Sequence, residues 1–481
     1  MVEEVLSSRL IGGVSVGRMV SGWIRSYCLS VIGIQVLQNT NMRRLASVVM
    51  SGFLLLVLVG ARMSMCGAED LTNLGGALST DLEGRNAIQV SAPNVVGTSR
   101  AAEQAAGFPV FHRTTGVAEG LGPKFVNNSC AGCHIDNGRG PTTFGVPSRG
   151  GSSMIIKVKR RGLLGDGSAP EVPGIGGQVL DQTVGAPIKR TVKVTWEPVS
   201  GRYKDGTPYT LRKPTIVLPK AYKVPRGAAL SLRMSPPLIG MGLLEAVQDS
   251  LIVRSSDARD ANGDGISGRV NWVRDRVKGG YSVGKFGLKG NHPTVLQQSA
   301  SALYHDMQIA NPIFQEKDGI QEATDQDLHS LAIYLRLAGV PKARSQNEPS
   351  VLAGKEIFKQ LRCDACHTMT MVTGVHPDPE LSNQTIHPFT DLLLHDMGPR
   401  LSDGWNEYSA GPQEWRTTPL WGLGFSAQLA KRRAFYLHDG RARTIEEAIL
   451  WHGGEAAASQ KAFTALSAVK RRRLINFLKS L

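Results

Sequence analysis

Cys130-Ala131-Gly132-Cys133-His134 and Cys363-Asp364-Ala365-Cys366-His367 are two copies of one pentapeptide, and they decide most of what this chain can be. Two thiols three positions apart can both add to the vinyl groups of one heme, and the adjacent imidazole then lies against the iron. A paired-cysteine zinc site or a thioredoxin-like redox pair would use the thiols without needing the histidine in both copies. Two covalently bound hemes of the c type are therefore expected.

The chain has 6 cysteines, and the other two, Cys28 and Cys66, precede the globular part. From Met42 it reads Arg43-Arg44, an apolar run over 45–60, then Cys66-Gly67-Ala68. Residues 42–68 read as a signal peptide cleaved after Ala68, and 1–41 as an upstream extension. The run is short for a membrane span, so no stable span is expected after cleavage. Four cysteines then remain, all committed to heme. Thioether attachment takes place outside the bacterial cytoplasm, which makes the expected compartment periplasmic. Residues 1–68 carry six Arg and two Glu, so the formal net charge of +15 becomes +11 after cleavage, which suits an acidic electron-transfer partner or an anionic surface, with general solubility as the plain alternative. No basic stripe with interleaved aromatics points to nucleic acid.

The expected fold class is mainly α: two c-type cytochrome domains in tandem, 69–340 and 351–481, joined by a linker at 341–350. Gly354, Ile357, Phe358 and Leu361 form one helical stripe running into Cys363, and Leu474, Phe477, Leu478 and Leu481 repeat the spacing at the end. Leu328, Leu331, Ala332 and Leu335 predict the closing helix of the first domain, capped by Thr324 or Asp325. Residues 150–230 exceed what a minimal cytochrome needs. Alternation at Ile155 to Lys159, Thr191 to Trp196 and Tyr209 to Leu211, with Asp205-Gly206 as a turn, predicts a β-rich insertion whose basic residues form a solvated face. Pro237-Leu238-Ile239-Gly240-Met241-Gly242-Leu243 echoes Pro419-Leu420-Trp421-Gly422-Leu423-Gly424-Phe425, and His305-Asp306-Met307 echoes His395-Asp396-Met397, as a duplicated unit would.

Asn127 to His134, Leu393-Leu394-His395-Asp396-Met397-Gly398-Pro399, and Tyr436-Leu437-His438-Asp439-Gly440-Arg441-Ala442-Arg443-Thr444 running to Trp451-His452-Gly453-Gly454-Glu455 resemble the di-heme oxidoreductase family. That family is named for peroxidase activity and is also labelled thiol oxidoreductase. The resemblance covers essentially all of 100–481, and extends distantly to the bacterial di-heme cytochrome c peroxidases. In those relatives a His-Asp-Gly turn precedes the helix carrying the sixth ligand of the second heme. Here the matching position is His452, where the peroxidases have methionine, so the resemblance implies a second heme held by His367 and His452 at a lower potential than His/Met ligation gives.

A peroxidatic first heme, on His134, wants an open iron position and a group that moves a proton between the peroxide oxygens. Glu245 and His305 are the catalytic candidates, with Gln315 behind them; Met241 and His112 are candidate sixth ligands that would close the iron. Glu245 read blandly is a helix-surface carboxylate. Arg441 and Arg443 suit heme propionates, or else face solvent. Asp260, Asn262 and Asp264 space their oxygens like the start of a calcium loop, although the twelfth position is Asn271. Trp272, Trp421 and Trp451 could relay charge between hemes, with packing the plainer use.

The expected function is a periplasmic di-heme oxidoreductase, peroxidase-like, that activates hydrogen peroxide or a related oxidant at the first heme with electrons passed through the second from a small redox protein, a c-type cytochrome or cupredoxin. The alternative is an electron-transfer cytochrome with both irons fully ligated and no chemistry of its own.

Overall fold

Two crossed helix pairs frame the halves of the chain: Ser99–His112 packs on Asp325–Arg336, and Pro349–Gln360 packs on Ala468–Ser480. The computed structural model describes residues 70–146, 149–185, 192–315, 321–426 and 434–481; the signal peptide and the extension before it, with Cys28 and Cys66, lie outside these. The three predicted stripes are buried faces of these helices, with Leu328, Leu331 and Leu335 in one, Ile357, Phe358 and Leu361 in the second and Leu474, Phe477 and Leu478 in the third. Thr324 caps its helix through a reciprocal pair: its hydroxyl accepts the Asp327 N–H, and the Asp327 carboxylate accepts the Thr324 N–H. Each crossing is made at a glycine. A Cβ on Gly107 would collide with the Ser330 carbonyl and Tyr334, and one on Gly354 with the Arg473 carbonyl and Phe477. The backbones touch because no side chain stands between them.

Around these pairs the chain is not mainly α. Among the described residues the strands form seven separate two-stranded sheets, and they occur in both halves. Leu394–Asp396 pairs antiparallel with Glu414–Arg416 in the second half, and Ser79–Thr80 pairs parallel with Val340–Pro341. The expectation failed because helical periodicity marks only the framing helices. The long connections, rich in the chain's 54 Gly and 25 Pro, close instead as short ladders and turns.

Within 150–230, Lys193–Arg202 and Pro208–Val217 form a long hairpin, and Met154–Lys159 pairs antiparallel with Ala229–Met234. The second ladder explains a feature of the site. Met154, Ile156 and Val158 point into a small apolar cluster with Val172, Val179 and Leu232. The period of two then sends Ile155, Lys157 and Lys159 to the other face, together with Arg233, which pairs with Ile155. That face lines a cavity. The basic residues expected to be solvated are therefore partly interior.

The two echoing segments pack on each other reciprocally: a Cβ on Gly240 would strike the Trp421 ring, and one on Gly422 would strike Ile239. Both glycines have positive φ, 63° and 70°, where a side chain is strained in any case. A main apolar cluster runs from Leu71 to Leu481 through both helix pairs. No helix among the described residues is long and apolar enough to cross a membrane.

Candidate functional site

Cys130 and Cys133 lie on a single helical turn, Cys130–Cys133, whose start is capped by the Ser129 hydroxyl accepting the Gly132 N–H. His134 follows, and its Nδ1 lies 2.9 Å from the Pro236 carbonyl oxygen. A carbonyl can only accept, so Nδ1 carries the proton. Burial pushes the imidazole down to about 4, and the neutral ring presents a lone pair at Nε2. The second pentapeptide repeats this arrangement. Cys363–Ala365 is a short 3-10 turn, His367 Nδ1 lies 2.9 Å from the Phe389 carbonyl oxygen, and burial lowers that ring to about 4 as well. A backbone acceptor on Nδ1 is how proteins orient a metal-binding imidazole. The four thiols are half-buried, and desolvation pushes them upward, Cys130 and Cys363 to about 12, the opposite of a poised redox pair.

The first pentapeptide opens on a cavity of about 560 Å³. Cys130, Cys133, His134, Phe111, Leu244, Leu331 and Leu335 line it, as do Met241, His292 and His305. A wall of this size with an apolar end and paired cysteines fits a heme. His305 Nδ1 lies 2.9 Å from the Ser301 carbonyl, one helical turn back, and burial lowers the ring to about 3, so its Nε2 is also unprotonated. The other end of the cavity is charged: Lys157, Lys159, Arg233, Arg276 and Arg416 gather with Glu407 and Asp306. Lys157 donates to Gln178 at 2.6 Å, and the Gln178 amide donates to Asp306 at 2.8 Å. Burial would raise Glu407, but the cations Arg233, Lys159, Lys157 and Lys289 outweigh it and hold it ionised. Cations in excess at the rim of an apolar slot are suited to anionic heme propionates.

At the second pentapeptide, His452 terminates the helix Ile445–Trp451, and its Nδ1 lies 2.8 Å from the Ala448 carbonyl oxygen. Burial lowers its pKa, and its charged form would bear directly on His367. Two neutral imidazoles thus occupy one neighbourhood. His395 lies there too, with its Nδ1 3.5 Å from the Cys366 sulfur.

Glu245 is placed differently from a proton shuttle. Its carboxylate takes Arg336 at 2.5 and 3.0 Å and the Val295 N–H at 3.1 Å, and it is not on the cavity wall. Burial alone would raise it, yet the hydrogen bonds from His376 and Arg336 bring it down to about 2. It is a structural anion. Gln315 turns to the Pro312 carbonyl, and His112, between Gln89 and the Phe108 carbonyl, lies off the cavity. Arg441 is buried against Asp439 and the Arg400 carbonyl, whereas Arg443 pairs with Glu447 at the surface. In the 260–264 loop, Asp260 and Asn262 accept backbone N–H groups and Asp264 pairs with Arg362. Among the described residues no three His, Cys, Asp or Glu side chains are grouped to hold a metal ion. Sequence reasoning missed Lys157, Arg233, Glu407, Arg416 and the Asp391–His395–Glu455 group.

The sequence profile described as "Di-haem oxidoreductase, putative peroxidase" matches residues 182–320 and 315–481. The chain belongs to this family. Two heme groups and an oxidoreductase role come with that membership. No curated protein matches the chain. Among solved structures, hydrazine synthase of Kuenenia stuttgartiensis pressurised with 20 bar xenon is similar at 20% identity over 33% of this chain and 55% of that one, with a TM-score of 0.22. This di-haem family member therefore spans about half the length of that protein.

Proposed function

We propose that this protein is a periplasmic di-heme oxidoreductase with c-type hemes on Cys130/Cys133 and Cys363/Cys366, reducing hydrogen peroxide or a related oxidant at the first heme with electrons entering by the second. The observation that carries this reading is the asymmetry of the two environments. His452, a second neutral imidazole, bears on His367, whereas only burial and the Pro236 carbonyl act on His134, whose cavity wall carries His305. When bound, the two hemes would supply redox-active iron for electron transfer and peroxide chemistry.

The chain's own residues have distinct jobs in this scheme. His134 and His367 would hold iron through Nε2, because Pro236 and Phe389 fix their Nδ1 protons. His305 offers an unprotonated Nε2 at the cavity wall, able to take a proton from one peroxide oxygen and return it to the other. Because burial disfavours its charged form, it holds that proton briefly. Lys157, Arg233 and Arg416 keep the polar end of the cavity positive. The reductant would be a small acidic redox protein, in keeping with the net charge of +11 that remains once residues 1–68 are removed.

A steady-state assay with peroxide and a reduced c-type cytochrome tests the reading on protein carrying both hemes. Turnover is expected, and its absence would reject the enzyme. Met241 on the same cavity wall favours the carrier as second reading, since a thioether there would close the iron. A cyanide-binding ferric site supports the enzyme; two inert low-spin hemes support the carrier.

A further inference from the structure

Trp272 is not packed away: it is 44% exposed, on a short hairpin formed by Trp272–Arg274 and Tyr281–Val283. The strands turn Val273 and Val283 into the core and leave Trp272, Arg274 and Tyr281 outside, with Arg274 directly opposite Tyr281. Val277, in the loop between the strands, is 54% exposed and Tyr281 51%. Apolar side chains exposed singly are ordinary, but three on one hairpin mark a place of contact.

This surface is held ready. Gln297, buried on the helix Val295–Met307, accepts the Arg276 N–H at 2.8 Å and donates to the Arg274 carbonyl at 3.0 Å. Asp275 accepts the Val277 and Lys278 N–H groups at 3.0 and 2.9 Å and the Ser282 hydroxyl at 2.9 Å. A preformed surface loses little conformational entropy on docking. Its outward charge has one sign. Asp275, the one acid of residues 272–282, is buried in those bonds, whereas Arg274 and Lys278 are exposed and have no carboxylate within ion-pair distance among the described residues.

The hairpin also adjoins the second pentapeptide. Gly268, four residues before Trp272, lies so near His395 that a Cβ there would meet the ring at 2.8 Å, and His395 Nδ1 lies 3.5 Å from the Cys366 sulfur. Four residues of chain span at most about 14 Å.

We propose that this hairpin is the docking surface for a small acidic redox protein, with Trp272 and Tyr281 at the centre of the contact and Arg274 and Lys278 meeting the partner's carboxylates. The choice of a redox partner rests on the proposed function, which brings electrons in by the second heme. Trp, Tyr and Arg carry most of the energy of protein contacts, and electron-transfer encounters use interfaces small enough for one hairpin to anchor. An anionic bilayer is the poorer match, since segments held on one carry roughly four to eight cations.

Calorimetric titration of the heme-loaded protein with an acidic c-type cytochrome at low ionic strength tests this, with a basic c-type cytochrome as the charge control. Saturable binding of the acidic protein is expected, weakening as salt is added. W272S and the double variant R274E/K278E should each weaken it about tenfold or more, and W272Y should keep it. Heme content and the urea midpoint report that the variants are folded. Absence of saturable binding by the parent, parent-like binding by W272S or R274E/K278E, or equal binding of the basic cytochrome overturns the proposal. So does a preference for vesicles of anionic lipid, or a dimer of the parent that W272S dissolves without weakening cytochrome binding. Peroxide turnover with ascorbate as the reductant needs no docked protein. Its absence rejects the proposed function and leaves the binding result standing, while loss of docking leaves that turnover untouched.

Discussion

His395 Nδ1 lies 2.7 Å from Glu455 Oε2, across 60 positions of chain, while its Nε2 lies 2.8 Å from Asp391 Oδ2. A carboxylate on each nitrogen can be satisfied only if both nitrogens carry protons, so this buried ring is an imidazolium. Burial opposes the charge, but the two carboxylates outweigh it and raise the pKa to about 12. Its stabilisation is present in full below pH 6.5 and is lost only as pH rises through about 12. With Nδ1 3.5 Å from the Cys366 sulfur, it is a fixed positive charge beside the second heme site. H395Q should lower the midpoint potential of that heme, read by redox titration. Leaving two buried carboxylates without their cation should also cost on the order of 3–5 kcal/mol in denaturant unfolding. An unchanged potential in folded H395Q would show that the ring only ties the loop in place.

Glu245 should prove structural. Replacing it by glutamine leaves Arg336 with Asp378 at 3.5 Å as its remaining carboxylate. E245Q should lose roughly 3 kcal/mol of stability while peroxide turnover per folded protein stays within about twofold of the parent. A loss of a hundredfold or more, with both hemes loaded, would return this carboxylate to the chemistry.

The second iron provides the most direct spectroscopic check. His452 is fixed by the Ala448 carbonyl in the tautomer that leaves Nε2 free. H452A should convert one heme from low-spin to high-spin in the paramagnetic resonance spectrum and leave the first heme unchanged. A low-spin second heme in that variant would remove His452 as a ligand.

What could be read from the sequence was local. The stripe ending at Leu361 and the Thr324 cap are patterns within a few residues, and each survives as a buried face or a paired terminus. The rest depends on partners remote in sequence. Glu245 reads as a lone acid in an apolar helix until Arg336, 91 residues on, is seen beside it. Lys157 reads as the polar face of an exposed strand because alternation cannot say whether that face meets water or a cavity. The mainly α expectation failed for a similar reason, since strands of two or three residues such as Leu394–Asp396 are too short to show a period.

His438 offers a test of the buried interior by pH. Its ring stacks on Trp415 at 3.7 Å with planes 10° apart, and Arg233 and Lys289 lie over the same indole at 4.4 and 4.9 Å. Burial, with help from Arg441, Arg233 and Lys289, outweighs the neighbouring Asp439 and lowers His438 to about 3. Below pH 6.5 the unfolded chain takes up a proton here that the native protein refuses, so stability falls as pH drops from about 6.5 toward about 3. The slope is about 1.4 kcal/mol per pH unit for one histidine. H438Q cannot titrate and lacks this slope, whereas the other histidines contribute equally to both proteins. The stability advantage of the parent over H438Q should therefore shrink by about 2 kcal/mol between pH 7.5 and pH 5 in urea unfolding. An advantage that instead grows as pH falls would mean that His438 is charged in the native state, and that the stack on Trp415 is held by cation–π attraction instead of by burial of a neutral ring.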